Sequence, residues 1–227
     1  MYKKILLLAA MDKEIDLLLD LLSEVKLYDE GKIKFYRGVI GTNSVFVSKC
    51  GIGKVNSALN VSLLIQRIHP DIVINSGVAG GAGTPIGTLL VADKVAYHDV
   101  WCGPGTDYGQ AEGVPLFMIP SKEILEITES EDLKDKVDKG LICSGDKFIS
   151  RAEEIAFIRS KFPEVKAVDM ESASIAQTCM VYGTPFAILR VVSDTPGDGE
   201  NLTQYKDFWT TAPEKSFKVL NEILAKL

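Results

Sequence analysis

The chain has 227 residues, of which 46% are hydrophobic and 25% are charged, and its formal net charge is -6. This composition excludes a disordered chain, because disorder combines low hydrophobicity with a high net charge. No basic cluster accompanies the negative charge, which argues against a nucleic-acid partner or an anionic membrane partner. The length and the uniform composition predict one domain over residues 1–227.

The first part of the chain predicts strands and helices in alternation. Residues 5–10 predict a buried strand, since this apolar run is too short for a membrane helix or a signal peptide and acids follow it at once. Residues 13–25 predict a helix with apolar side chains on one face. Residues 35–40 and 44–49 predict a hairpin around the three residues between them.

The rest of the chain continues this alternation. Residues 55–68 predict a helix that ends before Pro70, and Ser150 with Glu153 predicts a capping box that starts a helix near Arg151. The other predicted strands are 72–76, 89–97, 141–144 and 186–192, the other predicted helices are 173–182 and 213–227, and a glycine-rich loop is predicted at 99–114. The pattern is typical of an α/β layer architecture.

Two glycine clusters differ from the known nucleotide-binding loops. Residues 77–83 lack the G-x-G-x-x-G spacing, and residues 50–54 lack the P-loop spacing and are followed by Val55 in place of Ser or Thr. Both clusters therefore predict tight turns with close helix packing rather than phosphate sites. A ribose-binding role close to them stays open.

The cysteines and histidines argue against two classes of site. The cysteines form no C-x-x-C pair, which disfavours structural zinc and predicts reduced, buried thiols in a cytoplasm. They are Cys50, Cys102, Cys143 and Cys179. A Ser-His-Asp hydrolase is disfavoured because the chain has no G-x-S-x-G elbow and only His69 and His98. His98 follows a predicted strand, so a site neighbour and a hydrogen-bonded structural histidine both stay open.

Three acids carry the strongest chemical signal. Glu14, Glu171 and Asp194 each lie where an apolar run ends, and strand ends of an α/β sheet meet in a ligand-binding crevice. Phe148 and Tyr205 offer stacking surfaces. Acid-assisted cleavage of a glycosidic bond needs one acid to protonate the leaving group and one carboxylate to activate water. A third acid can hold sugar hydroxyls.

Eight segments carry a resemblance that spans nearly the whole chain. They are AMDKEI at 10–15, GIGKVN at 51–56, NSGVAGG at 75–81, YHD at 97–99, YGQ at 108–110, SGDKFI at 144–149, DME at 169–171 and RVVSD at 190–194. Together they resemble the 5'-methylthioadenosine/S-adenosylhomocysteine nucleosidase family of the purine nucleoside phosphorylase superfamily. The resemblance implies a three-layer αβα fold with a mixed central sheet. It also implies a homodimer without cofactor that hydrolyses 5'-thio-substituted adenosines, and the cysteines add the expectation of a cytoplasmic protein without a metal.

The same resemblance implies roles at the water and the ribose. Glu14 corresponds to the base that activates water, with Arg190 close to it, and Glu171 and Met170 correspond to ribose contacts. Val78 stands where better-known members have a serine, so one water-binding hydroxyl is missing.

The adenine contacts follow from the resemblance as well. Asp194, helped by Ser193, corresponds to the donor of a proton toward purine N7. Phe148 corresponds to the residue that stacks on adenine, and the Ile149 backbone to the group that reads the edge of the base. Tyr205 corresponds to an aromatic residue over the 5' substituent.

Several residues bear on alternative functions and on the expected dimer. A phosphorylase would place an Arg and a Ser where this chain has Asn75 and Val78. A futalosine-type nucleosidase and a non-catalytic nucleoside-binding protein also stay open, although binding alone needs no acid paired with a base. Residues 99–106 differ from the family's usual sequence, which leaves the preferred 5' substituent open, and Trp101 in this loop is the candidate aromatic of a dimer interface.

Overall fold

Strands and helices alternate along most of the chain. The computed structural model describes residues 4–211 and 213–227, and within them it has nine strands and seven helices. The strands are β1 (Lys4–Ala9), β2 (Ser23–Asp29), β3 (Lys34–Ile40), β4 (Asn43–Lys49), β5 (Ile72–Gly81), β6 (Leu89–Tyr97), β7 (Asp138–Ser144), β8 (Val165–Asp169) and β9 (Phe186–Asp194). The helices are α1 (Asp12–Leu19), α2 (Lys54–Ile68), α3 (Lys122–Thr128), α4 (Ala152–Lys161), α5 (Ser172–Tyr182), α6 (Asn201–Thr211) and α7 (Pro213–Ala225).

The described strands form one mixed sheet in the order β2-β3-β4-β1-β5-β8-β7-β6-β9. β1 pairs in parallel with β4 and β5, while β3 pairs antiparallel with β2 and β4. An additional parallel pairing of β5 with β9 closes the second half of the sheet into a ring of β5, β8, β7, β6 and β9. The predicted α/β class with a mixed central sheet is confirmed, and the ring closure was not predicted.

Strand β1 is continuously apolar because both of its faces are buried. Ile5 and Leu7 belong to one buried cluster, and Leu6 and Leu8 belong to another on the opposite face of the sheet. A strand that is covered on both faces reads as an unbroken hydrophobic run rather than an alternating one. Helices α2 and α5 pack against each other, and α1 and α6 both contact α7.

Several predicted boundaries are confirmed. The hairpin of β3 and β4 pairs Ile40 with Asn43, so its loop is Gly41 and Thr42. β6 has the predicted bounds, and α2 ends at Ile68 with His69 in the left-handed conformation at φ 52°.

The predicted helix over residues 13–25 is wrong in its second half. α1 ends at Leu19, and Ser23–Asp29 forms the edge strand β2, whose residues are almost all exposed. β2 obtains its backbone hydrogen bonds from β3, which lies later in the chain. Local periodicity does not report that pairing, and α3 and α6 were also not predicted.

The glycine cluster of residues 77–83 is mostly strand, so the predicted tight turn is wrong there. β5 runs through Gly81 and pairs Gly77 with Arg190 of β9. A Cβ added at Gly77 would lie 2.7 Å from the Glu14 Oε1 atom, so glycine is required by close approach. The cluster at 50–54 is a tight turn as predicted, with Gly51 at φ 79° and Gly53 at φ 87°.

The start of α4 differs from its prediction by one residue. The side chain that caps it is Glu154 rather than Glu153, and its Oε2 atom accepts the backbone amides of Ser150 and Arg151 at 3.1 and 3.2 Å. In the described part of the chain, no helix combines the length and the apolar character needed to cross a membrane.

Candidate active site

One cavity lies where β1, β5, β8 and β9 end and where α1 and α5 begin. Nine of the ten predicted site residues line it, which are Glu14, Val78, Phe148, Ile149, Met170, Glu171, Ser193, Asp194 and Tyr205. The tenth, Arg190, lies behind the wall of the cavity. The three acids are far apart in sequence. The parallel direction of β1, β5 and β9 brings Glu14 and Asp194 to one edge, and Glu171 joins them because β8 pairs antiparallel with the last two residues of β5.

Glu14 is held by backbone amides at the first turn of α1. Its Oε2 atom accepts the amides of Ala10 and Met11, both at 2.9 Å, and its Oε1 atom accepts the Val78 amide at 3.1 Å. Burial raises the pKa of Glu14 above its usual range, while the charge of Arg190 and these three amides act against the rise. The result is a fixed carboxylate that burial makes more basic, as a general base requires.

Arg190 belongs to β9, and its buried side chain reaches Asp169 of β8 and Asn75 of β5. Its Nε atom donates to Asp169 Oδ2 at 2.8 Å, and its Nη2 group donates to the Asn75 Oδ1 atom. Its Nη1 group donates to the Leu189 carbonyl at 3.0 Å. Arg190 therefore acts on Glu14 through its positive charge, which lowers the pKa of Glu14.

Glu171 lies between β8 and α5, at the residue that precedes the helix. Its Oε1 atom accepts the Gly53 amide at 2.9 Å, which ties it to the turn before α2. Burial, and next the negative charge of Asp169, raise the pKa of Glu171 to about 7. Glu171 can therefore change its charge near neutral pH.

Asp194 is the last residue of β9 and is buried. Ser193 donates its hydroxyl to Asp194 Oδ1 at 2.7 Å. Burial raises the pKa of Asp194, and the side chains of Ser193 and Asn201 act against the rise. A raised pKa favours the protonated form that a general acid needs.

Aromatic side chains form the mouth of the cavity. The rings of Phe148 and Tyr205 meet edge to face, with centroids 5.6 Å apart and planes at 74°. The Tyr205 hydroxyl donates to the Met11 sulfur at 3.3 Å. Ile52 also lines the cavity and is half exposed. The mouth is thus apolar and offers flat surfaces to a planar ligand.

Sequence reasoning missed some residues of this site. Asp169 lines the cavity and Asn201 donates to the Ile149 carbonyl at 3.3 Å, yet neither had a predicted role. Asp169 precedes Glu171 by two residues at the same strand end, and this position in the sequence could have indicated that Asp169 belongs to the site. Asn201 begins α6, a helix that the sequence did not predict.

The structure places His98 outside the cavity lining. Its ring is buried beside Gly145, its Nε2 atom has no hydrogen-bond partner among the described residues, and burial lowers its pKa. The buried state predicted for the cysteines is confirmed for Cys50, Cys143 and Cys179, and it is wrong for Cys102, which is exposed on the loop after β6. Residues 4–211 and 213–227 contain no cluster of three metal-ligating side chains.

The fold and the acid-lined cavity together define a class of protein. The family model described as the phosphorylase superfamily matches residues 4–225. Within this class, a 5'-methylthioadenosine/S-adenosylhomocysteine nucleosidase of Exiguobacterium sp. is 37% identical to this chain. The alignment covers 99% of this chain and 98% of that protein. A protein of the same name from Staphylococcus aureus is 35% identical, with 97% of this chain and 99% of that protein covered.

Solved structures of nucleosidases are also similar to this chain. The nucleosidase of Neisseria meningitidis in complex with methylthio-immucillin-A has a TM-score of 0.93 at 35% identity, with 99% of this chain and 100% of that chain covered. The Colwellia psychrerythraea nucleosidase in complex with adenine has a TM-score of 0.92 at 32% identity, with 100% and 96% covered. The chain belongs to the 5'-methylthioadenosine/S-adenosylhomocysteine nucleosidase family.

Proposed function

We propose that the protein hydrolyses the N-glycosidic bond of 5'-methylthioadenosine and S-adenosylhomocysteine, releasing adenine and the 5'-thioribose. The observation that carries this proposal is the convergence of Glu14, Glu171 and Asp194 on one cavity whose mouth is aromatic. Family membership supports it, because the relatives bear the name of this activity. A protein that only binds a nucleoside has no need for a buried base opposite a buried acid.

The three acids divide the reaction between them. Glu14 removes a proton from the attacking water, and Asp194 donates a proton toward N7, so that adenine leaves as a neutral base. Glu171 accepts hydrogen bonds from ribose hydroxyls. Neutral adenine is a better leaving group than its anion, and the positive charge that develops on the sugar is stabilised by nearby carboxylates.

The remaining cavity residues position the nucleoside. Phe148 stacks on adenine, the Ile149 backbone reads the edge of the base, and Met170 contacts the ribose. Tyr205 covers the 5' substituent, which suits an apolar thioether because its neighbours at the mouth include Met11.

Water is a better nucleophile for this site than phosphate. The Asn75 side chain is occupied, since its Nδ2 group donates to the Leu8 carbonyl at 3.1 Å and its Oδ1 atom accepts from Arg190. Val78 supplies no hydroxyl. A phosphate dianion beside Glu14 and Glu171 would meet repulsion, and the cations near the cavity are already paired, Arg190 with Asp169 and Lys147 with Glu154, so they offset its desolvation poorly.

Product analysis with and without phosphate tests the proposal. The expected products from 5'-methylthioadenosine are adenine and a reducing 5'-thioribose, at a rate that millimolar phosphate leaves unchanged. Inosine and futalosine serve as control substrates for the related activities. A sugar 1-phosphate product, or a rate that saturates with phosphate, would show a phosphorylase instead.

We also propose a cytoplasmic homodimer. Apolar side chains of α2 and α5 lie exposed side by side on one face, among them Val55, Leu59 and Val181. Trp101, on the loop after β6, is 60% exposed and can contribute to a contact with a second copy. The free cysteines support a reducing compartment.

A further inference from the structure

Asp169 is a buried carboxylate that the proposed hydrolysis does not use. It ends β8, and its side chain is 2% exposed. Four groups donate to its two oxygens, which are the Ser144 hydroxyl, the Ser172 amide and hydroxyl, and the Arg190 Nε group, and the Arg190 Nη2 group forms an ion pair with Oδ2 at 2.8 Å. A carboxylate has about four lone-pair sites. These donors therefore leave no acceptor site of Asp169 free for a nucleoside hydroxyl.

The same carboxylate fixes the orientation of Arg190. Two nitrogens of the guanidinium, Nε and Nη2, lie 2.8 Å from Asp169 Oδ2, and the Asn75 Oδ1 atom also accepts from Nη2. Asn75 is itself anchored to the Leu8 carbonyl of β1. These contacts with Asp169 and Asn75 hold the guanidinium in its orientation behind Glu14.

Asp169 also places a negative charge beside Glu171. The charged and titratable groups that act on Glu171 are Asp169 of β8, Arg190 of β9 and Glu14 of α1. The Cys50 thiol, which follows β4, also interacts with Glu171. Asp169 and Arg190 act in opposite directions, so their pairing decides the net charge that Glu171 experiences.

We propose that Asp169 is a positioning residue of this site, which fixes the Arg190 guanidinium behind Glu14 and balances its charge beside Glu171 without contacting the nucleoside. The inference rests on the proposed function, because Glu171 is taken to hold the ribose. Removal of the Asp169 charge leaves the full positive charge of Arg190 next to Glu171. Glu171 then keeps its ionised form to a lower pH.

The test is the pH dependence of nucleoside binding to Asp169→Asn. The probe is 5'-methylthiotubercidin, whose base has carbon in place of N7 and so offers Asp194 no site to protonate. Binding to the wild-type protein is expected to weaken as the pH falls through about 7, where Glu171 takes up a proton. In Asp169→Asn the midpoint of this transition is expected to move down by about one pH unit or more.

A matched control and two outcomes complete this test. Glu164→Gln removes one carboxylate from an ion pair with Lys94 outside the cavity, and its midpoint should equal that of the wild type. A purely structural role of Asp169 would lower the affinity or the folded fraction and leave the midpoint in place, which would overturn the inference. Failure of the wild-type protein to bind the probe would instead overturn the proposed function itself.

A second pair of variants covers a failure of Asp169→Asn to fold, because an unpaired buried Arg190 is strongly destabilising. Arg190→Met leaves Asp169 with its serine donors, and the double variant Asp169→Asn with Arg190→Met has no buried charge at either position. The double variant should show a lower midpoint than Arg190→Met alone. Equal midpoints in these two proteins would contradict the inference.

Discussion

At the residue scale, Asp194 and Glu14 are both buried acids in different surroundings. Asp194 accepts the Ser193 hydroxyl, and the side chain of Asn201 also acts on it, whereas Glu14 accepts three backbone amides. Amides that point at a carboxylate favour its ionised form, and burial without such a set favours the protonated form. The environments therefore match a base at Glu14 and an acid at Asp194.

Asp194→Asn is expected to lower kcat by a factor on the order of 10² or more, because general acid catalysis typically contributes about that much. The fold should persist, since Asn keeps the shape of the side chain and its bond to Ser193. The wild-type rate should fall as the pH rises through the raised pKa of Asp194, because the acid must be protonated to act. The variant should lack this alkaline limb. A kcat near that of the wild type would remove Asp194 from the mechanism.

Glu14→Gln is expected to abolish hydrolysis and to preserve nucleoside binding, because an amide cannot accept the proton of the attacking water. The NH2 group of Gln would face at least one backbone amide and leave it without an acceptor. We therefore also expect a lower Tm and a free energy of unfolding that is smaller by about 1–3 kcal/mol. Calorimetry with the nucleoside 5'-methylthiotubercidin measures binding, and a thermal melt measures the change in Tm. Asp12→Asn on the same helix is the control, since Asp12 is exposed. Loss of binding together with catalysis would make Glu14 a structural or ribose-holding residue.

At the element scale, the termini of two helices meet beside the ribose position. The Ser57 and Ser174 hydroxyls share a buried hydrogen bond of 2.7 Å that ties α2 to α5. The Gly53 amide, at the start of α2, then reaches Glu171 at the start of α5. The geometry of Glu171 therefore depends on the packing of these two helices as well as on its own strand.

The close approach of β5 to α1 supports a prediction at Gly77. Gly77→Ala would place a Cβ 2.7 Å from Glu14 Oε1. The Glu14 carboxylate is held by three amides over its two oxygens, so it must leave this position and kcat is expected to fall at least tenfold. Gly140→Ala is the matched control, because its Cβ would also make a close contact, at 2.4 Å, but with the exposed Lys166 side chain and not with a cavity residue. Steady-state kinetics give the kcat values of both variants for this comparison. Equal kcat values for the two would show that the approach of Gly77 is not tight in solution.

At the scale of the whole molecule, the exposed apolar face of α2 and α5 supports a prediction about assembly. Wild-type protein is expected to sediment as a dimer at micromolar concentration. The double variant Leu59→Glu with Val181→Glu should be monomeric, because it buries two carboxylates without partners in the interface. Leu27→Glu, at an exposed position on edge strand β2, should remain dimeric. A wild-type monomer independent of concentration would refute the homodimer.

The sequence alone determined the α/β class and the convergence of the acids. Continuous apolar runs, as in β1, report burial on both faces of a sheet, and an acid at the end of such a run is directed to the edge where strands end. These signals are local in the chain, so they do not depend on the tertiary structure. The sequence also predicted the glutamate that caps α4 to within one residue.

Only the tertiary structure decided which groups support the acids. The partners of Glu171 and Arg190 include Gly53, 118 residues away, and Asn75, 115 residues away, so they depend on strand order and on the closure of β5 with β9. The edge strand β2 forms because β3 offers it hydrogen bonds, although its own sequence permits a helix. Arg190 lies behind the cavity rather than in it for the same reason, since its place follows from pairing between distant strands and not from its own neighbours in sequence.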